Sequence, residues 1–246
     1  MLKIPKIDFG IKIVTYPTEY TKILLERTLN GIFEQTYKNW TVYLIGDNYG
    51  DELFDLVPAH PKIKVIDAKV ESERFHFKLE DLEFCGGCNA FNFGLDLMEN
   101  DGIKYHVSLD HDDIWRKDHL ESLYKAYTLF PDAYFVYTRG NWIYGINPNI
   151  DCNMEYNNLP PVYRHVLHSS VSWRLDKIPL RYINTTEKGI NIHGDGYMWQ
   201  RMCEYFSTHQ YKFLHIPKCT LDFTKKPYDF SKNQTLSPFH EKEIAP

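Results

Sequence analysis

The sequence predicts an α/β fold with a mostly parallel central sheet flanked by helices. Three observations predict it. Short apolar, β-rich runs alternate with segments of helical period through the first 130 residues. Turn-forming Pro, Gly, Asn and Asp residues separate the runs. A length of 246 residues suits one such domain with a full core.

The elements follow in order. Ile11 to Tyr16 (IKIVTY) is a buried-strand run ended by Pro17. A helix should follow, with Leu25, Leu29, Ile32 and Phe33 at helical spacing and Thr18 placed to cap its start. Trp40 to Gly46 is a second strand and Lys62 to Asp67 a third, with DNYGDE as the loop after the second. From Gly87 to about Glu99, Phe91, Leu95 and Met98 share one helical face. Lys104 to Asp110 is a fourth strand, and a helix over about 117–130 follows it.

The second half is less regular. Tyr134 to Tyr137 and Tyr211 to Ile216 predict strands, and Asp195 to Phe206 a helix. Residues 141–164, rich in Asn, Pro and Tyr, predict a long loop of the kind that often carries function. In parallel α/β sheets, ligands sit beyond the carboxyl ends of the strands. Thr15-Tyr16, Asp47 and Asp110–Asp113 all fall at such ends, so one crevice can gather them.

Composition narrows the function. A net charge of -5 with no long basic run argues against nucleic acid as a partner. No stretch approaches the roughly 20 apolar residues of a membrane span, and MLKIPKIDFG lacks the apolar segment of a secretory signal, so a cytoplasmic location is expected. Five cysteines at irregular spacing predict free thiols, and Cys85-x-x-Cys88 stands without the second pair that zinc sites use.

The chemistry concentrates in SLDHDDIW, Ser108 to Trp115. Three carboxylates within four residues repel one another and need protons or a cation to coexist. A hard divalent ion with oxygen ligands would satisfy them and would bridge the phosphates of a nucleotide. A solvated acidic turn at a helix start fits the same residues. From this cluster alone the two stand level.

Five segments in order shift the balance. IVTYPTEY, FEQTYKNWTVYLIGDNYGDE, GGCNAFNFGLD, SLDHDDIW and GDGYMWQRM resemble, over about residues 11–206, the successive motifs of the GT-A glycosyltransferases of family 2. The resemblance implies the GT-A nucleotide-diphospho-sugar transferase fold over residues 1–246. Its nucleotide-binding half would span about 1–115 and its acceptor-binding half about 116–225, with 226–246 as a tail. It implies an inverting transferase that moves a sugar from a nucleotide-diphosphate donor, UDP-linked first and GDP-linked second. The acceptor would be a hydroxyl of a glycan or glycoconjugate, and Mn2+ or Mg2+ would assist.

The resemblance also implies site roles. Thr15, Tyr16 and Pro17 line the base pocket, and Asp47 accepts a hydrogen bond from the base. Gly87 and Asn92 lie on the diphosphate side, and Asp110 faces the ribose or sugar. Asp112 binds the metal with Asp113 in support, His111 points away, and Asp195 is the general base. The chain departs from the family where Gly46 replaces the first loop Asp, Phe91 an Arg, and Gly194 a Glu.

The aromatics Tyr137, Trp142, Tyr144, Tyr156, Tyr163 and Trp173 offer either an acceptor platform or core packing. His168, His193, His215 and His240 are possible further metal ligands. Two other functions fit the scaffold. A sugar nucleotidyltransferase would want a glycine-rich loop after the first strand, where there is none. A nucleotide-sugar or glycan-binding protein without turnover would tolerate the three departures.

Overall fold

The computed structural model describes residues 6–76, 86–142, 145–148, 155–161, 166–190 and 192–222. The tail expected over 226–246, and His240 with it, lies outside the described residues.

β1 (Phe9–Thr15) is buried at every position, because helices cover both its faces. α1 (Thr21–Phe33) follows it, then β2 (Trp40–Asp47) and β3 (Ile63–Ala68). α2 (Cys88–Asn100) leads to β4 (Tyr105–Ser108) and the two-residue β5 (Ile114–Trp115). α3 (His119–Leu129) precedes β6 (Ala133–Trp142) and β7 (Gly145–Asn147). β8 (Val171–Arg174), α4 (Gly194–His209) and β9 (Lys212–Asp222) complete the series.

The strand order is β3-β2-β1-β4-β8-β6-β9-β5, with β7 paired to β6. The expected parallel sheet is its first half: β3, β2, β1 and β4 run parallel. β8 then joins β4 and β6 antiparallel, and β9 runs parallel to β6. Two cores result from the two faces. Phe9, Ile11 and Ile13 pack toward α1 and α3 with Leu25, Leu29, Leu120 and Leu123. Val14, Tyr43 and Ile45 pack toward α2 and α4 with Leu95, Met98, Trp199 and Met202.

Several local expectations change. Tyr20, not Thr18, is the N-cap of α1, and no side chain caps it. The Thr18 hydroxyl instead lies 2.8 Å from that of Thr21. β6 runs well past Tyr137 into the segment expected to be loop, and pairs there with β7. Tyr137 and Trp173 are fully buried and His215 is buried beneath Tyr137, so none of the three can meet an acceptor or a metal. Burial holds the His215 imidazole down to about 4. Tyr144 and Tyr163 lie outside the described residues.

Candidate active site

The acidic turn leaves β4 and is clamped from three sides. The Thr28 hydroxyl on α1 lies 2.9 Å from the carbonyl of His111 and 2.8 Å from that of Asp113. The Asp110 amide donates to Ser169 Oγ at 2.9 Å, and Trp115 Nε1 donates to the Ser169 carbonyl at 2.7 Å. The Asp113 amide closes the turn on the Asp110 carbonyl at 3.2 Å. The hydroxyls of Thr28 and Ser169 thereby fix the backbone of the turn. Asp113 is buried, Asp112 half-buried, and Asp110 partly exposed. His111 turns inward: its Nδ1 lies 3.3 Å from the Val14 carbonyl and its ring meets the edge of Tyr16.

That contact joins the turn to the expected base pocket. Asp47 ends β2 with its side chain buried, and Arg74 Nε donates to its Oδ2 at 3.0 Å. The same guanidinium lies 3.4 Å over the Tyr16 ring. Asp47 Oδ1 has no hydrogen-bond partner among the described residues. Thr15 is buried at the end of β1, and Pro17 is exposed at the rim. Arg74 escaped the sequence reading because it sits in the charged, irregular stretch after β3, 27 residues from Asp47.

On the opposite side, a chain of side chains runs inward from Asp110. His168 Nδ1 lies 2.7 Å from Asp110 Oδ1, and its Nε2 lies 2.9 Å from the Tyr182 hydroxyl. Burial works against ionisation of Asp110, but the His168 charge and hydrogen bond outweigh it, aided by His111. The carboxyl is held at about 2. Burial foremost pushes the Tyr182 phenol well above its ordinary range, with the charges of Asp195 and Asp110 adding to the rise. His168 is thus occupied within the site and offers no ring nitrogen to a metal, contrary to the expectation for it.

Asn92 fixes Tyr182 in turn. Its Nδ2 donates to the Tyr182 carbonyl at 2.9 Å and its Oδ1 accepts from the Tyr182 amide at 2.7 Å. Both ends of the amide are spent on backbone, so Asn92 acts through Tyr182. Replacing Tyr182 with Phe removes the hydroxyl that His168 needs while keeping the ring. A loss of roughly 1–3 kcal/mol is expected, read as a fall of several degrees in Tm. An unchanged Tm would show that this hydrogen bond does not hold the pair.

Gly87 precedes α2 in the left-handed region (φ 83°), where glycine is favoured. The helix start there is already met by protein: Glu73 Oε1 accepts from the Asn89 amide at 2.8 Å. Burial raises the Glu73 carboxyl, and the helix amides partly offset it. Asp195 lies in the first turn of α4, half-buried, with Oδ1 accepting from the Gly196 amide at 2.7 Å. His193 is the N-cap residue of α4. Among the described residues no three His, Cys, Asp or Glu side chains form a ready-made metal cage.

Residues 13–193 match the family model described as Glycosyl transferase family 2. The chain belongs to glycosyltransferase family 2. It is 37% identical over 231 residues to the uncharacterized glycosyltransferase R139 of Acanthamoeba polyphaga mimivirus, covering 87% of this chain and 93% of that one. Among solved structures it is similar to S. aureus TarS 1–349, with TM-score 0.58, 15% identity, and coverage of 97% of this chain and 69% of that one. TarS 1–349 in complex with UDP-GlcNAc superposes with TM-score 0.59 and 15% identity, over 94% and 62% of the two chains. The fold is that of the GT-A type, and the protein is a glycosyltransferase. No helix among the described residues is long and apolar enough to cross a membrane.

One departure from the family 2 pattern has a steric cause. A Cβ on Gly46 would come within 2.7 Å of Leu53 Cδ2 and 2.8 Å of Asp67 Oδ1. Asp67, opposite Gly46 on β3, fills that space and accepts from the Tyr49 amide at 2.7 Å and the Gly50 amide at 3.2 Å. The loop after β2 is thus held from the neighbouring strand, and the carboxylate missing at position 46 reappears at 67.

Proposed function

We propose that this glycosyltransferase moves a sugar from a UDP-linked donor to a hydroxyl of a glycan or glycoconjugate, with inversion and with Mn2+ or Mg2+ assisting. The observation that carries the donor assignment is the half-used carboxylate of Asp47. Arg74 takes Oδ2 and covers the Tyr16 ring, and Oδ1 is left buried without a partner among the described residues, an acceptor that a base N–H would reach once Arg74 gives way. Uracil offers a ring N–H flanked by carbonyls, which matches an acceptor beside a guanidinium. Guanine offers a related edge, so a GDP-linked donor is the second choice, and cytosine has no such N–H. The similarity to a TarS structure in complex with UDP-GlcNAc supports the first.

The carboxylates suit an ion completed by the substrate. A half-buried Asp112 beside a buried Asp113 offers the one or two protein ligands that Mg2+-type sites use alongside donor phosphates. Held by Asp112 with Asp113 in support, such an ion would supply positive charge against the leaving diphosphate. The chain's own residues do the rest. Asp110, ionised and aimed by His168, accepts from hydroxyls of the donor ribose or sugar. Asp195 takes the proton of the acceptor hydroxyl as its oxygen forms the new bond to the anomeric carbon. One direct displacement inverts that carbon. Gly87 shapes the backbone at the start of α2 beside the donor. The halves expected over about 1–115 and 116–225 correspond to donor and acceptor sides in this reading.

A thermal-shift panel of UDP, GDP, dTDP and CMP, each with and without Mn2+, tests it. At a hundredfold excess over Kd, a nucleotide that binds only the folded state adds about 2.7 kcal/mol, or roughly 5–10 °C in a chain of this size. UDP with Mn2+ should give the largest shift and CMP the smallest. A panel with no shift for any nucleotide would remove the donor reading.

A further inference from the structure

Lys12 lies in the middle of β1 with its side chain fully buried. Its Nζ has no hydrogen-bond partner among the described residues. Two rings flank that nitrogen, with Phe91 at 4.4 Å and Tyr182 at 4.6 Å from ring centroid to Nζ. The stem crosses α2 at Gly94, where an added Cβ would stand 3.2 Å from Lys12 Cγ and Cδ. The sleeve is therefore built: a glycine for the stem and two aromatic faces for the amine. Buried polar groups are almost always satisfied, and an orphan asks for a reason.

The sleeve adjoins the donor site. Phe91 and Tyr182 both border His168, which holds Asp110. Burial is the main influence on the amine and drives it well down from its ordinary range. Asp110 and Cys88 pull it back up, while Arg181 pushes it further down. Arg181 is itself paired with Asp96 and Glu99. The other titratable groups around it are His106 on β4, His168 and Tyr182, and burial holds the His106 ring well below its ordinary range. In the ligand-free chain these surroundings favour the uncharged amine. A diphosphate arriving beside Asp110 would bring several negative charges into the same low-dielectric region and favour the ammonium.

We propose that Lys12 is the buried cation of the donor site, taking up one proton when the nucleotide diphosphate binds beside Asp110 and returning it when the nucleotide leaves. The proton comes from the buffer and its bond forms on the amine lone pair; no other bond changes. The inference rests on the donor reading given above.

Lys12→Met tests it, since Met matches the stem and suits two aromatic walls. Two effects of opposite sign are expected. The ligand-free variant should melt about 2–4 °C higher, because an unsatisfied buried amine is gone. Its Kd for UDP with Mn2+ at pH 8 should rise at least about tenfold. Calorimetry of UDP binding at pH 8 in two buffers of different ionisation enthalpy should show up to one proton more taken up by the wild type than by the variant. A purely structural lysine would lower Tm and affinity together. A bystander would raise Tm and leave affinity within twofold; either pattern overturns the proposal. Should the variant not fold, the wild-type measurement decides, and binding without proton uptake overturns it. Wild type that binds none of the nucleotides removes the donor reading, and this inference with it.

Discussion

Asp195→Asn is expected to lower the transfer rate at saturating donor and acceptor by roughly a thousandfold, within the range for losing a general base. UDP affinity and fold should remain. Asn is nearly isosteric and keeps the oxygen that accepts from the Gly196 amide. Asp195 is half-buried in the first turn of α4, where a carboxylate also steadies the helix dipole. Losing that charge costs roughly 0.3–1 kcal/mol, a shift of a few degrees at most. The two roles separate cleanly. A carboxylate that only starts the helix would give a small fall in Tm and nearly full activity. A base gives the same small fall and almost none. Retention of more than about a third of the wild-type rate would remove Asp195 from the chemistry.

The parts of this site that were legible in the sequence are those whose residues lie together in the chain. The run into SLDHDDIW joins a buried strand to its acidic turn, and the residues proposed for the base pocket lie at the ends of β1 and β2. What was hidden depends on distant pairing. His168 meets Asp110 across 58 residues, and Asn92 grips Tyr182 across 90. Both flanking segments lack a periodic pattern, and β8 is only four residues long. Lys12 stayed hidden for another reason. It lies inside a run that reads as a buried strand, and only the helices on both sides of β1 show that its side chain is enclosed with the rest. The aromatic span left an acceptor platform and core packing both open, and the second half of the sheet decides for core at Tyr137 and Trp173 by enclosing them. The departure at Gly46 became intelligible only with β3 in place, since Asp67 reaches it through strand register.

Asp112→Ala is expected to abolish the Mn2+-dependent part of nucleotide binding and to lower kcat/KM by about a thousandfold or more. Thr28, Ser169 and the Asp113 amide fix the backbone of the turn, and Asp112→Ala leaves those contacts in place. Asp113 is buried and Asp110 gives one oxygen to His168, which leaves Asp112 best placed to face an ion shared with the diphosphate. Removing one of three crowded carboxylates also relieves repulsion. The ligand-free Tm should then hold or rise slightly, while the shift with UDP and Mn2+ shrinks to that with UDP alone. A turn that merely starts the next helix predicts the reverse: a lower Tm and an unchanged response to metal. A Mn2+-dependent shift that survives Asp112→Ala would move the ion elsewhere, and Asp110→Asn would not reproduce the loss if its oxygen serves the donor hydroxyls. The metal requirement should therefore follow Asp112, and donor affinity without metal should follow Asp110.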